Sequence, residues 1–454
     1  MLRKITESLI KWKDSTNRKP LVLRGARQVG KTYTLKAFGK SHFSNTIYLN
    51  LENKAHANLL EQAESLDELL QIIPIFAKQK IRPGKTLLII DEIQTVPSAL
   101  NLLRFFYEDR PDLHVACAGS LLEAIIKREG LQIPVGRVQY LYMFPLTFSE
   151  FLRGENIELY EYLDNLSTLS SIPRAIHNEL MKSFKQFLLV GGMPEVVNTY
   201  LATRDYSELE TVYESLITGF LDDVHKYASN GQSKYLRLII EHAPRYAGRL
   251  IKYENFADSG YHSREIKHAF SLLEAANLIQ CVPGCPSRHL PLTPNLRKSP
   301  KLLFLDVGLV NYISGINIEL LQTKAIESLY QGRITEQVVG QQLQALYAHK
   351  RNSFYFWYRD TTGSTAEVDF ILSLGQQIIP IEVKAGKAGT LRSLHACIDE
   401  TQIEHAYRIS SGPYSENRIS TPVKGSPFAL TSIPFYLLEK FLTGHAEARL
   451  LKVR

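Results

Sequence analysis

The sequence predicts a multidomain α/β protein that opens on a parallel-sheet domain carrying a phosphate-binding loop. Three observations carry this prediction. Gly25-Ala26-Arg27-Gln28-Val29-Gly30-Lys31-Thr32 fits the pattern G-x-x-x-x-G-K-[ST] without substitution. Thr86-Leu87-Leu88-Ile89-Ile90-Asp91-Glu92 is an uninterrupted apolar run closed by carboxylates, as a parallel strand buried on both faces requires. Toward the C-terminus, strand-like runs at Phe354 to Tyr358, Glu367 to Leu372 and Ile378 to Val383 are separated by turn residues. At 454 residues the chain exceeds one core and suggests roughly two to four domains.

The first residues lack the apolar stretch of a secretory signal. Leu2, Ile5, Leu9 and Trp12 recur at helical spacing, which predicts an opening amphipathic helix packed on the sheet domain. Leu21-Val22-Leu23 then feeds the glycine loop as a strand, and Tyr33 to Phe38 continue it as a helix. The glycines let successive backbone N–H groups of Gly25 through Thr32 point at phosphate oxygens, with the helix N-terminus behind them. Lys31 is expected to reach the β- and γ-phosphates, and the Thr32 hydroxyl to take a magnesium ion. Asp91 would complete the magnesium shell, and Glu92 would polarise the attacking water.

A further strand, Leu113 to Ala118, ends in Gly119-Ser120. Ser120 is a candidate contact for the γ-phosphate or the water, and equally a cap for a helix at Leu121 to Ala124. Arg137 has three readings: a γ-phosphate sensor, an arginine finger donated to a neighbouring subunit of a homo-oligomer, or a surface arginine.

The loop Gly25 to Thr32, Asp91-Glu92-Ile93-Gln94 with Pro97, and Ala118-Gly119-Ser120 together resemble the prokaryotic AAA-like ATPase family. Gly136-Arg137, Pro145-Leu146-Thr147-Phe148-Ser149-Glu150-Phe151 and Gly191-Gly192-Met193-Pro194-Glu195-Val196 extend the resemblance. It covers about Lys19 to beyond Lys384. It implies an AAA-like ATPase core followed by a winged helix and a C-terminal domain in the restriction-endonuclease-like superfamily. It also selects ATP, in keeping with the lack of a guanine-reading N-K-x-D motif.

Glu155 to Tyr235 has helical spacing interrupted at Gly191-Gly192-Met193-Pro194, which predicts a helical lid and linker with a turn or hinge at the glycines. Beyond it, Ser263 begins a helix with Ile266, Ala269, Phe270, Leu273, Leu278 and Ile279 on one face and Arg264, Lys267 and His268 off it. With the preceding turn at Asp258-Ser259-Gly260 and a strand from Leu278 to Val282, this reads as a winged helix whose second helix contacts DNA. A protein-docking module has the same pattern, so a protein partner stays open.

In the C-terminal runs, period-two geometry puts Glu382 and Lys384 on the same face of their strand, and likewise Glu367 and Asp369 on theirs. Asp369 followed by Glu382-x-Lys384 resembles the Asp…Glu-x-Lys signature of restriction-endonuclease-like nucleases, with Val368 where some carry proline. The resemblance implies a magnesium site at Asp369 and Glu382, completed by Glu336 from a helix at Ile334 to Leu346, with Lys384 assisting the nucleophile. The alternative is a structural ion pair in an inactive relic that serves as a binding platform. The closing residues read as packing.

Hydrophobic residues make up 44% and charged residues 22%, the balance of a globular chain. No apolar run approaches the roughly 18 residues that span a membrane, so no membrane partner is expected. Four scattered cysteines suit a reducing cytoplasm, and Cys281, Cys285 and His289 lack an obvious fourth ligand for zinc. The formal charge of +7 is uneven, with eleven Lys/Arg against five Asp/Glu from Lys234 to Lys301. Such a surplus suits nucleic acid, or is a solvated basic face. The expected organisation is an ATPase core at 1–160, a helical lid at 161–230, a winged-helix module at 231–300 and an endonuclease-like domain at 301–454.

Overall fold

The apolar runs on either side of the glycine loop become strands of one parallel sheet. The computed structural model describes residues 3–119, 134, 136–167, 169, 172–224, 230–316, 332–347, 354–386 and 390–450. The candidate Ser120, the helix expected at Leu121 to Ala124, and Leu2 lie outside the described residues. The chain divides into two units. One comprises Met1–Phe144, Leu216–Arg237 and His268–Leu278; the other comprises Pro145–Ser215, Leu238–Lys267 and Ile279–Arg454.

In the first unit, β1 (Leu21–Arg24), β2 (Asn45–Asn50), β3 (Thr86–Asp91), β4 (His114–Ala118) and β5 (Gln139–Tyr142) form a sheet in the order β2-β3-β4-β1-β5. Every neighbouring pair is parallel. Every residue of β3 is buried, as its unbroken apolar run demands. Because the strands share one direction, the segments after β1, β3 and β4 all leave from the carboxyl edge, where open α/β sheets bind ligands. Val22, Leu49, Ile90 and Val115 of the sheet pack with Leu69 and Leu103 of the helices. The opening helix, Ile5–Lys13, buries Leu9 and Trp12. The Trp12 indole donates to the Lys19 carbonyl at 2.8 Å and stands edge-on to His114.

The second unit contains helices Phe148–Glu155, Ile157–Asp164, Arg174–Val190 and Pro194–Thr203. The first starts in a capping box: the Thr147 side chain accepts from the Glu150 N–H, and the Glu150 carboxylate accepts from the Thr147 N–H. Gly191-Gly192 is a turn pressed against other backbone. Gly191 has φ +65°, and a Cβ there would lie 2.1 Å from Asp306 Oδ1; one on Gly192 would lie 2.2 Å from the Leu146 carbonyl oxygen. The Gly192 N–H donates to Asp306 Oδ2 at 2.6 Å.

Helix Ser263–Ala275 buries Ile266, Ala269, Phe270 and Leu273 and exposes Arg264, Lys267 and His268, as its spacing predicts. After it, β6 (Ile279–Val282) pairs antiparallel with β8 (Lys301–Phe304). Between them, β7 (Gly284–Cys285) leaves the expected 231–300 module and joins a larger sheet. That sheet also holds β9 (Phe354–Tyr358), β10 (Glu367–Leu374), β11 (Gln377–Val383), β12 (His405–Ser410), β13 (Ser415–Ser420) and β14 (Pro427–Pro434), in the order β13-β14-β12-β11-β10-β9-β7. Strands β9, β10 and β11 form an antiparallel meander, while β11, β12 and β14 run parallel. Trp357, Val368, Ile371, Leu394 and Ile398 pack together on this sheet, the last two from helix Arg392–Thr401.

Helix Arg333–Leu346 lays two buried glutamines on the last residue of β8 and the segment after it. Gln337 Oε1 accepts from the Phe304 N–H at 2.9 Å, and its Nε2 donates to the Phe304 carbonyl at 2.7 Å. One turn on, Gln341 Oε1 accepts from the Val307 N–H at 2.8 Å, and its Nε2 donates to Asp306 Oδ2 at 3.0 Å. Asp306 is fully buried and caps the helix Val307–Ile313. Burial pushes its carboxyl up to about 6, against the donors of Gly192, Gln341, Leu309 and Gly308. Among the described residues no helix is long and apolar enough to cross a membrane.

Candidate functional site

The glycine loop leaves β1 at a point where only glycine fits. Gly25 has φ +147°, and a Cβ there would lie 2.1 Å from the Met143 carbonyl oxygen. The Met143 N–H donates to the Arg24 carbonyl at 2.7 Å, which brings the two backbones together. Gly30, at φ +94°, ends the loop as the N-cap of helix Lys31–His42. Arg3 fastens the loop from outside, donating to the Val29 carbonyl at 2.8 Å and the Phe144 carbonyl at 2.6 Å. Arg27 forms an ion pair with the buried carboxylate of Asp223.

Lys31 is buried, and its ammonium donates to the loop's own carbonyls, Gly25 at 2.9 Å and Ala26 at 2.7 Å. Burial pulls it down to about 8, although Glu92 and Asp91 favour its charged form. Thr32 Oγ1 donates to Asp91 Oδ2 at 2.7 Å. The same oxygen accepts from the Tyr48 hydroxyl at 2.9 Å, and burial together with this carboxylate raises the Tyr48 phenol above its usual range. Glu92 follows with φ +52°, and Gln94 Nε2 donates to its Oε2 at 2.5 Å.

The expected nucleotide residues therefore converge at the carboxyl edge of β1 and β3. A buried ammonium beside the loop suits phosphate, and a hydroxyl against a carboxylate supplies the hard oxygen ligands that magnesium takes. The arrangement fits ATP with magnesium. Arg137 is tied elsewhere: its Nε meets Glu108 Oε1 at 2.7 Å.

In the second unit, Glu336, Asp369, Glu382 and Lys384 do come together, around a residue that sequence reasoning missed. Lys301, 1% exposed, donates to Glu336 Oε2 at 2.7 Å and to Asp369 Oδ1 at 3.3 Å, and pairs with Glu367 Oε1 at 2.9 Å. Burial opposes its charge, but Asp369, Glu336 and Glu367 outweigh it and hold the ammonium above the usual lysine range. Lys384 pairs with Glu382 Oε1 at 2.7 Å, and Asp369 Oδ2 accepts from the Val383 N–H at 2.8 Å. Burial, then the charge of Asp369, pushes Glu336 up to about 8 and Glu382 up to about 7.

The magnesium cage expected at Glu336, Asp369 and Glu382 does not fit this arrangement, because an ammonium lies among the oxygens that would hold the metal. Among the described residues no group of three or more His, Cys, Asp or Glu is placed to hold a metal ion. Cys281 and Cys285 are not joined in a disulfide.

Tyr48, Gln94, Asp223, Glu367 and Lys301 had no role assigned from the sequence. Glu367 had a signal, since it shares a face with Asp369. Lys301 had a weaker one: a lysine opening the apolar run Leu302-Leu303-Phe304, where burial of the whole strand leaves its charge no exit to water.

Residues 17–152 match the family model described as an AAA domain. Residues 181–319 and 331–421 match two models described as domains of unknown function, DUF8612 and DUF4143. No curated protein matches the chain. Among solved structures, the Aeropyrum pernix ORC1 protein in complex with DNA is similar at 13% identity and TM-score 0.29, over 69% of this chain and 91% of that one. AMPPCP-bound DnaA from Aquifex aeolicus is similar at 13% identity and TM-score 0.26, over 60% of this chain and 85% of that one. C. elegans PCH-2 is similar at 15% identity and TM-score 0.27, over 43% of this chain; the match spans 59% of PCH-2.

Proposed function

We propose that this protein binds ATP with magnesium at Gly25 to Thr32, hydrolyses it with Glu92, and uses the cycle to control a DNA-associated C-terminal half. The observation that carries the reading is the Thr32–Asp91 hydrogen bond beside the buried Lys31 ammonium. Lys31 exchanges the Gly25 and Ala26 carbonyls for phosphate oxygens, a charge-assisted contact. Thr32 and Asp91 would hold the magnesium, which when bound neutralises phosphate charge. Glu92, held by Gln94, orients a water through its carboxylate. Arg137 would reach a γ-phosphate, in its own subunit or a neighbour's, only after leaving Glu108, and Ser120 keeps its proposed role as a contact for the γ-phosphate or the water.

What supports the DNA association is the exposed trio Arg264, Lys267 and His268 on a helix followed by the β6–β8 pair, the order of a winged helix. An endonuclease-like origin for the C-terminal domain is supported by helix Arg333–Leu346, the β9–β11 meander, helix Arg392–Thr401 and parallel β12, in that order. The buried Lys301 favours the second reading of that domain, a platform for DNA or a protein partner that cuts nothing. The test is ATP binding and turnover by the full chain and by Lys31→Ala. Loss of both in a folded variant supports the reading, and near-normal turnover overturns it.

A further inference from the structure

Lys301 supplies three N–H donors and no acceptor. It meets carboxylates at Glu336, Glu367 and Asp369, within 2.7–3.3 Å, so three carboxylates share one ammonium, two of them by hydrogen bonds. Those carboxylates come from a helix and from β10, and their like charges would repel without a cation between them. Two rings beside the ammonium bear on which cation the cluster suits. The rings of Phe356 and Phe370 have their centroids 5.8 and 5.6 Å from the Lys301 ammonium. Aromatic faces favour an organic ammonium, whereas magnesium requires further oxygen ligands and usually retains water.

A buried carboxylate oxygen lies beside these groups. Glu382 is 5% exposed, its Oε1 is taken by Lys384, and among the described residues its buried Oε2 has no hydrogen-bond partner.

We infer that Lys301 is the resident cation of the C-terminal carboxylate cluster, standing where the sequence pattern leads one to expect a divalent metal, and that removing its ammonium unmasks a divalent-cation site. The domain is thereby built to be metal-free. In the unmasked state, Glu336, Glu367 and Asp369 lose their shared counter-charge, and the spare Glu382 oxygen adds a further hard ligand. Oxygen donors of this kind take Mg²⁺ or Mn²⁺.

The experiment uses the full chain in a Lys31→Ala background, without nucleotide, so that the P-loop does not report. Thermal melting and calorimetric titration with Mn²⁺ should show no metal response in this background. Lys301→Met, which keeps the stem and removes the charge, should melt several degrees lower without metal and recover with Mn²⁺. Adding Asp369→Asn should abolish that recovery. Should Lys301→Met fail to fold, combining it with Glu336→Gln and Glu367→Gln should restore folding, because two of the three carboxylates that lost their counter-charge are then neutral. The inference is overturned if the Lys31→Ala protein binds Mn²⁺ and Asp369→Asn removes that binding. It is also overturned if Lys301→Met melts unchanged, if it folds but gains no Mn²⁺ response, or if the combined variant folds no better than Lys301→Met alone.

Discussion

Thr32 and Asp91, 59 residues apart in the chain, share a hydrogen bond of 2.7 Å. The bond joins the first turn of the helix after β1 to the last residue of β3, so the two proposed magnesium ligands are already in register. Tyr48, from the neighbouring strand β2, approaches the same carboxylate oxygen and limits how it can turn.

Tyr48→Phe removes one donor from Asp91 while keeping the ring. A hydrogen bond to a charged group contributes about 1.5 kcal/mol or more, so magnesium-dependent ATP affinity should fall about tenfold. Calorimetric titration with and without magnesium checks this. An unchanged affinity would show that Thr32 alone sets the orientation of Asp91.

Glu92→Gln should leave ATP binding intact and lower turnover by about 10²-fold, the scale of losing a positioned acid–base group. Gln94→Leu should act on the same step more mildly, lowering kcat about tenfold with KM unchanged, because Glu92 loses its orienting donor. Steady-state kinetics separate the two; an increased KM in Gln94→Leu would place that residue in binding.

Arg264→Glu together with Lys267→Glu should weaken DNA binding and flatten its salt dependence. Every phosphate that the protein no longer neutralises takes about one unit off the slope of log K against log salt. Fluorescence anisotropy over a salt series measures both. A slope identical to wild type would direct the exposed helix face toward a protein partner.

Asp306 gives the second unit a pH dependence whose sign follows from its raised pKa, about 6 against the ordinary 3.8. Between those values the folded state holds a proton that the unfolded state has released, so the contribution is fully present below about pH 4. It is lost as pH rises through 6, by about 3 kcal/mol. Asp306→Asn cannot titrate. The difference in unfolding free energy between wild type and variant should shift by that amount from pH 4 to pH 7 in urea titrations. A difference independent of pH would mean that Asp306 stays ionised throughout.

The P-loop was legible because its requirements fall on consecutive residues: glycine where Met143 crowds Gly25, lysine for phosphate, threonine for metal. The buried strand ending at Asp91 was legible for the same reason, since parallel strands covered on both faces leave unbroken apolar runs. The C-terminal cluster was half legible. Period two placed Glu367 beside Asp369 and Glu382 beside Lys384, yet gave no access to Lys301, which reaches Asp369 from 68 residues away. Long-range counter-ions have no local signature. The same applies to Asp223 opposite Arg27, 196 residues apart. Strand β7 was hidden for another reason: Gly284-Cys285 is too short to show any period.

Gln337 and Gln341 have a bearing on how this chain can be divided. The two matched segments meet between residues 319 and 331, which invites their production as independent pieces. Yet each glutamine sits in the later segment and completes backbone or carboxylate bonding in the earlier one, at Phe304, Asp306 and Val307. Severed there, one fragment gives up the partners of the Phe304 and Val307 backbone groups and of Asp306, and the other gives up those of its two glutamines. The seam marked by sequence families is thus a stitched joint, closed by four hydrogen bonds.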